Sequence, residues 1–273
     1  MGKSKSKSVF SSVLFFVFVA VVVVSALGVV VAQTVPSPPD VLTVGSVGNH
    51  VETTSGVNVP AQAGNVSALT ISDVRKTQFW QGYYGNVTGQ IVLDDANNAT
   101  LFAWELANPA GEIYAVNTTS VVQWSNVSCV NFTALNATSS GPGSGKINLS
   151  SLAVQFNMNN SLSLENLSKD AFNYTFNTTY SGSFQTGTVA ITASNNCPQV
   201  TTFVDDVYQT GAFKQVLMYD NLSALIFVAL LENNKNGYQA GGNDLSDFQM
   251  VVAADGTPGK SGLSTYYFYV ELS

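Results

Sequence analysis

Charge is what this chain has least of. Only 10% of its 273 residues are Asp, Glu, Lys or Arg, against about 25% in an ordinary soluble protein. Ser, Thr, Asn and Gly must therefore carry most of the hydration. Arg75 is the sole arginine and His50 the sole histidine, which excludes a multi-histidine zinc site and leaves Ser or Cys nucleophiles without a base. The only basic cluster is Lys3, Lys5 and Lys7 at the amino end; after Ala32, seven basic residues face seventeen acidic ones. An anionic body without a basic patch excludes nucleic acid as a partner. Aromatic residues are absent between Phe18 and Phe79, so that stretch has nothing bulky enough to nucleate a core. Cysteine is equally scarce, with Cys129 and Cys197 alone. In an exported chain two cysteines read as one disulfide. Closing a loop of about 69 residues would contribute roughly 4 kcal/mol on the chain-entropy argument.

What the chain does have begins with an uncharged run from Val9 to Ala32, rich in Val and Phe, behind a basic stub at 1–8. The run exceeds the 7–15 apolar residues of a cleaved signal and reaches the length of a membrane-spanning helix. The basic flank places the amino end in the cytoplasm and the remainder outside. Three readings stay open: an uncleaved transmembrane anchor, a signal peptide cut after Ala26 or Ala32, and a pilin-type leader whose helix enters a filament core. Residues 33–72, with Pro36, Pro38 and Pro39 followed by Gly, Ser, Thr and Val, read as a flexible tether.

Thirteen Asn-x-Ser/Thr triplets follow, at Asn65, Asn86, Asn98, Asn117, Asn126, Asn131, Asn136, Asn148, Asn159, Asn166, Asn173, Asn177 and Asn221. Chance would place roughly five in such a composition, so the excess points to N-glycosylation on exposed backbone in an extracytoplasmic space. Residues 73–273 show short strand-like alternations separated by Gly, Asn and Ser turns, which predict a mainly β, sandwich-like exported domain. Ala224–Leu231 is apolar on both faces and reads as a central strand. The segments 101–106 and 112–116 flank Asn108-Pro109-Ala110-Gly111 as a hairpin would. Residues Asn173 to Asn177 alternate acceptors with aromatic rings, as a half-buried strand does. A two-turn helix is expected over 163–171, and 139–145 is a Gly/Ser loop.

Few residues carry a chemical expectation. Glu232, Asn234 and Asn236 alternate ahead of Gly237, with Asp244 and Asp247 nearby, which is the spacing of oxygen ligands in a calcium loop; the bland alternative is an Asn/Gly hairpin turn. Trp80, Tyr83 and Tyr84 crowd into seven residues, either as sandwich core or, if exposed, as rings that stack on sugars or protein. Asp94-Asp95 and Asp205-Asp206 are neighbours in sequence, so each pair puts one carboxylate per face and no glycosidase dyad follows. Residues 254–261 imitate a phosphate loop but carry Ala254 in place of the first Gly and lie between strands, so no nucleotide is expected. Apart from the calcium reading, no cofactor is implied.

The stretch Phe79-Trp80-Gln81-Gly82-Tyr83-Tyr84-Gly85-Asn86-Val87-Thr88-Gly89, the following Leu101-Phe102-Ala103-Trp104 and the carboxy-terminal Tyr266-Tyr267-Phe268-Tyr269-Val270-Glu271-Leu272 resemble a group of uncharacterised archaeal cell-surface (glyco)proteins. The resemblance covers about half the chain and implies export and an archaeal source, but no activity. The expected role is a non-enzymatic, N-glycosylated cell-surface or envelope protein, structural or adhesive, whose partners are the membrane through its amino-terminal run and other surface proteins or glycans. A pilin-like filament subunit and an exported hydrolase or carbohydrate-binding module are the alternatives.

Overall fold

The structure, a computed structural model, describes residues 35–49, 51, 55–74, 76–118, 122–130, 152, 155–156, 158, 171–204, 207–209, 213–220, 224–236, 245–254 and 264–273. The apolar run at 9–32, the Gly/Ser loop at 139–145 and residues 163–170 of the expected helix lie outside them, as do Asp205 and Asp206. Among the described residues the chain is mainly β. The strands are β1 (Trp80–Gly85), β2 (Gln90–Asp94), β3 (Thr100–Glu105), β4 (Gly111–Val116), β5 (Ser128–Cys129), β6 (Thr178–Thr179), β7 (Phe184–Thr186) and β8 (Val189–Ile191). They continue as β9 (Pro198–Gln199), β10 (Thr202–Val204), β11 (Val207–Gln209), β12 (Gln215–Tyr219), β13 (Leu225–Leu230), β14 (Phe248–Ala253) and β15 (Tyr267–Leu272). A single helical turn, α1, spans Phe172–Thr175.

The organising element is an antiparallel seven-stranded sheet in the order β15-β4-β13-β12-β9-β6, with β5 also paired to β12. β13 lies between β4 and β12, as its two-sided apolarity predicts. Its odd residues Leu225, Phe227 and Ala229 enter one core and its even residues Ile226 and Val228 the other, all with no solvent exposure. A sheet buried on both faces needs two covers. On the first face Phe227 lies 6.4 and 6.1 Å, ring to ring, from Phe172 of α1 and from Phe176 just after it, in a core shared with Met250 and Val252 of β14, Leu152 and Phe156. On the second, Val122, Val127, Phe184 of β7 and Ile191 of β8 pack over Tyr114, Val216 and Met218. Gln215, 1% exposed, ties the first cover down: its Nε2 donates to the Val251 carbonyl at 2.6 Å and its Oε1 accepts the Val251 N–H at 2.9 Å.

Two sequence expectations fail here. The segments 101–106 and 112–116 do not form a hairpin. β3 pairs with β2, through a turn in which Asn98 takes a left-handed conformation (φ 59°) and the Asp95 carboxylate accepts the N–H groups of Asn97 and Ala99. β4 instead pairs with β13 and β15. Gly111 decides the second pairing: at φ +127° a Cβ there would meet the Glu271 carbonyl oxygen, so only glycine lets β4 start against β15. The residues 173–177 are not a strand either. Phe172 and Phe176 stand four apart on one side of α1 and both are buried, while Tyr174 is 40% exposed; helical spacing, not alternation, satisfies the core.

The expected tether begins on the folded body. Pro36 is buried, and Ser37 exchanges both backbone hydrogen bonds with Val270 of β15, at 3.1 and 2.8 Å. Pro38 and Pro39 then end the pairing, since neither has an N–H to donate. An open sheet edge is guarded in this way. Residues 40–49 and 55–74 are exposed throughout, and the chain rejoins the body where Ala254 N–H donates to the Phe79 carbonyl at 2.7 Å.

Because Phe227 fills the centre of the first core, Phe227→Ala should lower the unfolding free energy of the disulfide-intact protein by about 3–5 kcal/mol. Gln215→Ala, which strips both partners from Val251, should cost about 2–4 kcal/mol. Urea titration measures both, and losses under about 1 kcal/mol would contradict this account of the core.

Candidate functional site

Cys129 and Cys197 form the disulfide, with Cα atoms 4.8 Å apart. The reason is topological: β5 ends at Cys129 and β9 begins just after Cys197, and both strands pair with β12. The bond therefore fastens two strands, each only two residues long, to the middle of the sheet and buries Cys197 in the second core.

The aromatic cluster divides. Trp80 of β1 makes edge contacts with Phe172 at 5.0 Å and lies 6.0 Å from Phe176, so it packs, partly buried, against the first core. Tyr83 packs edge-on against Phe268 at 5.3 Å, and burial raises the pKa of its phenol. Strand alternation by itself groups Tyr84 with Trp80 and leaves Tyr83 on the other side of β1. In the structure Tyr84 is the exposed ring, at 51%, because the Phe268 contact draws Tyr83 inward.

In the candidate calcium loop, Asn233 and Asn234 form a tight turn with Asn234 left-handed at φ 49°, and Lys235 just after it exchanges paired backbone hydrogen bonds with Ser246. Asp247 is 7% exposed. Its Oδ2 accepts the Val87 N–H at 2.9 Å and its Oδ1 the Asn234 N–H at 3.0 Å. Asp247 thus pins the turn to Val87, two residues past the end of β1. Glu232 is half-buried, Asn236 exposed, and Asp244 lies outside the described residues. Among the described residues, no three His, Cys, Asp or Glu side chains converge as a metal site would need.

Asp247 is one case of a wider habit. Asp220, 2% exposed, accepts the N–H groups of Ala224 and Gln123 at 2.7 and 3.3 Å. Asp95 does the same for the β2–β3 turn, where the N–H of Ala99, then that of Asn97, holds its carboxyl below the usual range. Among the described residues, three carboxylates of this poorly charged chain thus serve as acceptors for backbone N–H groups.

One buried acid has no such partner among the described residues. Glu112 of β4 and Glu271 of β15 stand directly opposite each other, at 7% and 6% exposure. Glu271 is well supplied: Gly187 N–H donates to both its carboxylate oxygens, at 3.1 and 2.9 Å, and the Tyr114 hydroxyl donates to Oε2 at 3.0 Å. Burial, reinforced by the charge of Glu112, keeps the Tyr114 phenol far above its ordinary range, so it stays a donor. For Glu112, burial first and the neighbouring Glu271 second push the carboxyl up from 4.5 to about 8. That shift favours the protonated form of Glu112 at neutral pH. Such a pairing is the raw material of acid–base chemistry, and it is held in place by the bonds from Tyr114 and Gly187 to Glu271. Sequence reasoning missed it, because the pairing of positions 112 and 271 exists only once β4 and β15 are adjacent.

Seven of the acceptor asparagines fall within the described residues. Asn65, Asn86, Asn98, Asn126 and Asn177 are exposed. Asn117 is half-buried and its Oδ1 accepts the Leu225 N–H at 3.3 Å. Asn173 lies in α1. Asn131, Asn136, Asn148, Asn159, Asn166 and Asn221 lie outside the described residues. Within the described residues no helix is long and apolar enough to cross a membrane; the run at 9–32 is not among them. No protein-family model matches this chain, nor does any curated protein or solved structure.

The Glu112 proton has a measurable consequence. Its folded pKa is raised, so the stabilisation it brings is complete below about 4.5 and is lost as pH rises through about 8. The unfolding free energy should therefore fall between pH 5 and 9, by an amount on the order of 4 kcal/mol. Glu112→Gln, which cannot ionise, should flatten that slope. An equally steep slope in the variant would assign the loss to other groups.

Proposed function

We propose that this chain is a non-enzymatic, N-glycosylated cell-surface or envelope protein, held at a membrane by the run from Val9 to Ala32. The observation that carries this reading is the exposure of five acceptor asparagines, Asn65, Asn86, Asn98, Asn126 and Asn177, on the described body. Sugars on those side chains would supply the hydration that a 10% charged composition does not. The Cys129–Cys197 bond is consistent with an oxidising compartment outside the cytoplasm. The two-faced core and the use of Asp95, Asp220 and Asp247 as turn acceptors describe a body built for persistence.

Intact mass and glycopeptide mapping on protein from its native host test the reading. Sugar is expected at Asn86 and Asn98 and should be sparse at the half-buried Asn117. A chain of unmodified mass would overturn the proposal. Amino-terminal sequencing decides the form of attachment: a start at Met1 means an anchor, Leu27 or Gln33 a cleaved signal, and a start near Val9 a filament subunit.

Calcium at the turn containing Glu232, Asn234 and Asn236 belongs to the same proposal, because extracellular fluid supplies the ion. Millimolar calcium should raise the melting temperature by several degrees if the turn binds it. The effect should vanish in Glu232→Gln, and an unchanged melting temperature in the wild type would remove the ion from the account.

A further inference from the structure

The β7–β8 hairpin is fastened to the sheet at its tip and at its base by unlike means. Thr186 and Gly187 at the tip are buried, whereas Gln185, Thr188 and Ala190 are exposed. Phe184 and Ile191, directly opposite each other, are its only other buried residues. Two strands of three residues are marginal by themselves, so the hairpin keeps its place through what it touches. At the tip the contacts are polar. Gly187, left-handed at φ 55°, donates its N–H to both oxygens of Glu271 at 3.1 and 2.9 Å. The Tyr114 hydroxyl lies 3.0 Å from Glu271 Oε2 and 3.3 Å from the Thr186 hydroxyl. The base is closed differently. β6 pairs with β9, the Tyr180 N–H donates to the Cys197 carbonyl at 2.9 Å, and Cys197 is bonded to Cys129. No change of carboxyl protonation touches those fastenings.

We propose that this hairpin is a pH-operated lid on the second core: its tip is latched while the Glu112–Glu271 pair holds a proton, and it opens about its disulfide-fixed base when both carboxyls are charged. Latch and acid pair occupy one place. Glu271 is both the acceptor of the Gly187 N–H and the cross-strand neighbour of Glu112. Directly opposite side chains lie roughly 5 Å apart on one face, so two buried charges there repel strongly. Glu112 has no donor among the described residues to offset that repulsion. The surrounding groups do not supply one. The hairpin residues 184–191 and the turn at 122–127 contain no ionisable side chain. The phenols of Tyr114 and Tyr180 are themselves opposed by the charge of Glu112, and Tyr269 of β15 packs against Trp124 at 5.3 Å. Glu232, past β13, acts on Tyr180 and not on Glu112. Lys214 is separated from Glu112 by Leu230 of the intervening strand. Opening hydrates the pair and withdraws only Phe184 and Ile191 from the core, far less than unfolding the sheet would. The direction follows from Glu112, which burial and then Glu271 push up from 4.5 to about 8. The closed lid is therefore fully favoured below about 4.5 and loses that advantage as pH rises through about 8.

Hydrogen exchange of the full-length, disulfide-intact chain in neutral detergent tests the lid, read by mass spectrometry on peptides covering 184–191 and 225–230. Rates are compared after correction for the intrinsic pH dependence of exchange. From pH 5 to pH 8 the protection of the hairpin amides should fall at least about tenfold, and at each pH the β13 amides should stay at least about tenfold better protected than the hairpin. Glu112→Gln, which cannot ionise, should remove the fall. Glu271→Gln, which leaves the Gly187 N–H a neutral acceptor, should lower hairpin protection roughly tenfold already at pH 5. Equal protection of hairpin and β13 at every pH would reduce the effect to global unfolding and overturn the lid. So would a hairpin equally protected at pH 5 and pH 8, or a fall that persists undiminished in Glu112→Gln. The first two of these comparisons need only the wild-type chain, so they decide even where a variant does not fold. None depends on glycans, so failure here is distinguishable from failure of the glycoprotein reading.

Discussion

The structure depends on one constraint: β13 is apolar on both of its faces, so the sheet around it must be covered twice. Leu225, Phe227 and Ala229 point one way and Ile226 and Val228 the other, and none of the five is reached by solvent. A single antiparallel sheet with one wet face would strand half of these side chains in water. The chain answers with two dissimilar lids. On one side Met250 and Val252 of β14 combine with the rings of α1; on the other are the β7–β8 hairpin and the turn containing Val127. The lids are made of short pieces, and short pieces need fastening. Gln215 does this for β14, and the Cys129–Cys197 bond does it for β5 and β9.

Fastening also explains where the few charges went. In a protein with abundant helices and ion pairs, carboxylates populate surfaces and helix ends. Here Asp95, Asp220 and Asp247 each accept N–H groups from turns, and Glu271 accepts them from Gly187. A carboxylate taking backbone N–H bonds is stronger than a neutral acceptor, so one acid can hold a turn that has little apolar surface. Glu112 is the exception, buried opposite Glu271 without a donor of its own among the described residues. Burial and the neighbouring Glu271 raise its pKa, which ties the β4–β15 pairing to pH.

The β2–β3 hairpin departs from this pattern. It has a capped turn and a regular register, yet no lid among the described residues. Its apolar face is as regular as that of a core strand, while the matching layer is missing from the described body. The edge of β15 gives the contrast. Pro36, Ser37 and Pro38 lie along it and block further pairing, so the fold protects one open edge and leaves one open face.

Much of this was legible in the sequence, for reasons that are local. Two-sided apolarity marked 224–231 as central, and a lone pair of cysteines in a chain rich in acceptor asparagines marked the disulfide. Local pattern misled where contacts came from afar. Tyr83 turned inward because Phe268 waits there, 172–176 became helical because Phe172 and Phe176 share one core, and 101–106 found 90–94 rather than 112–116. Composition and spacing alone determined that the body is mainly β, bridged by sulfur and poor in charge, since these follow from side-chain chemistry and short-range periodicity. Only the tertiary structure decided that Glu112 faces Glu271, that Asp247 staples a turn and that the Ile91–Trp104 face lies bare. Each depends on which strands become neighbours, and that choice is made by the packing of the whole core.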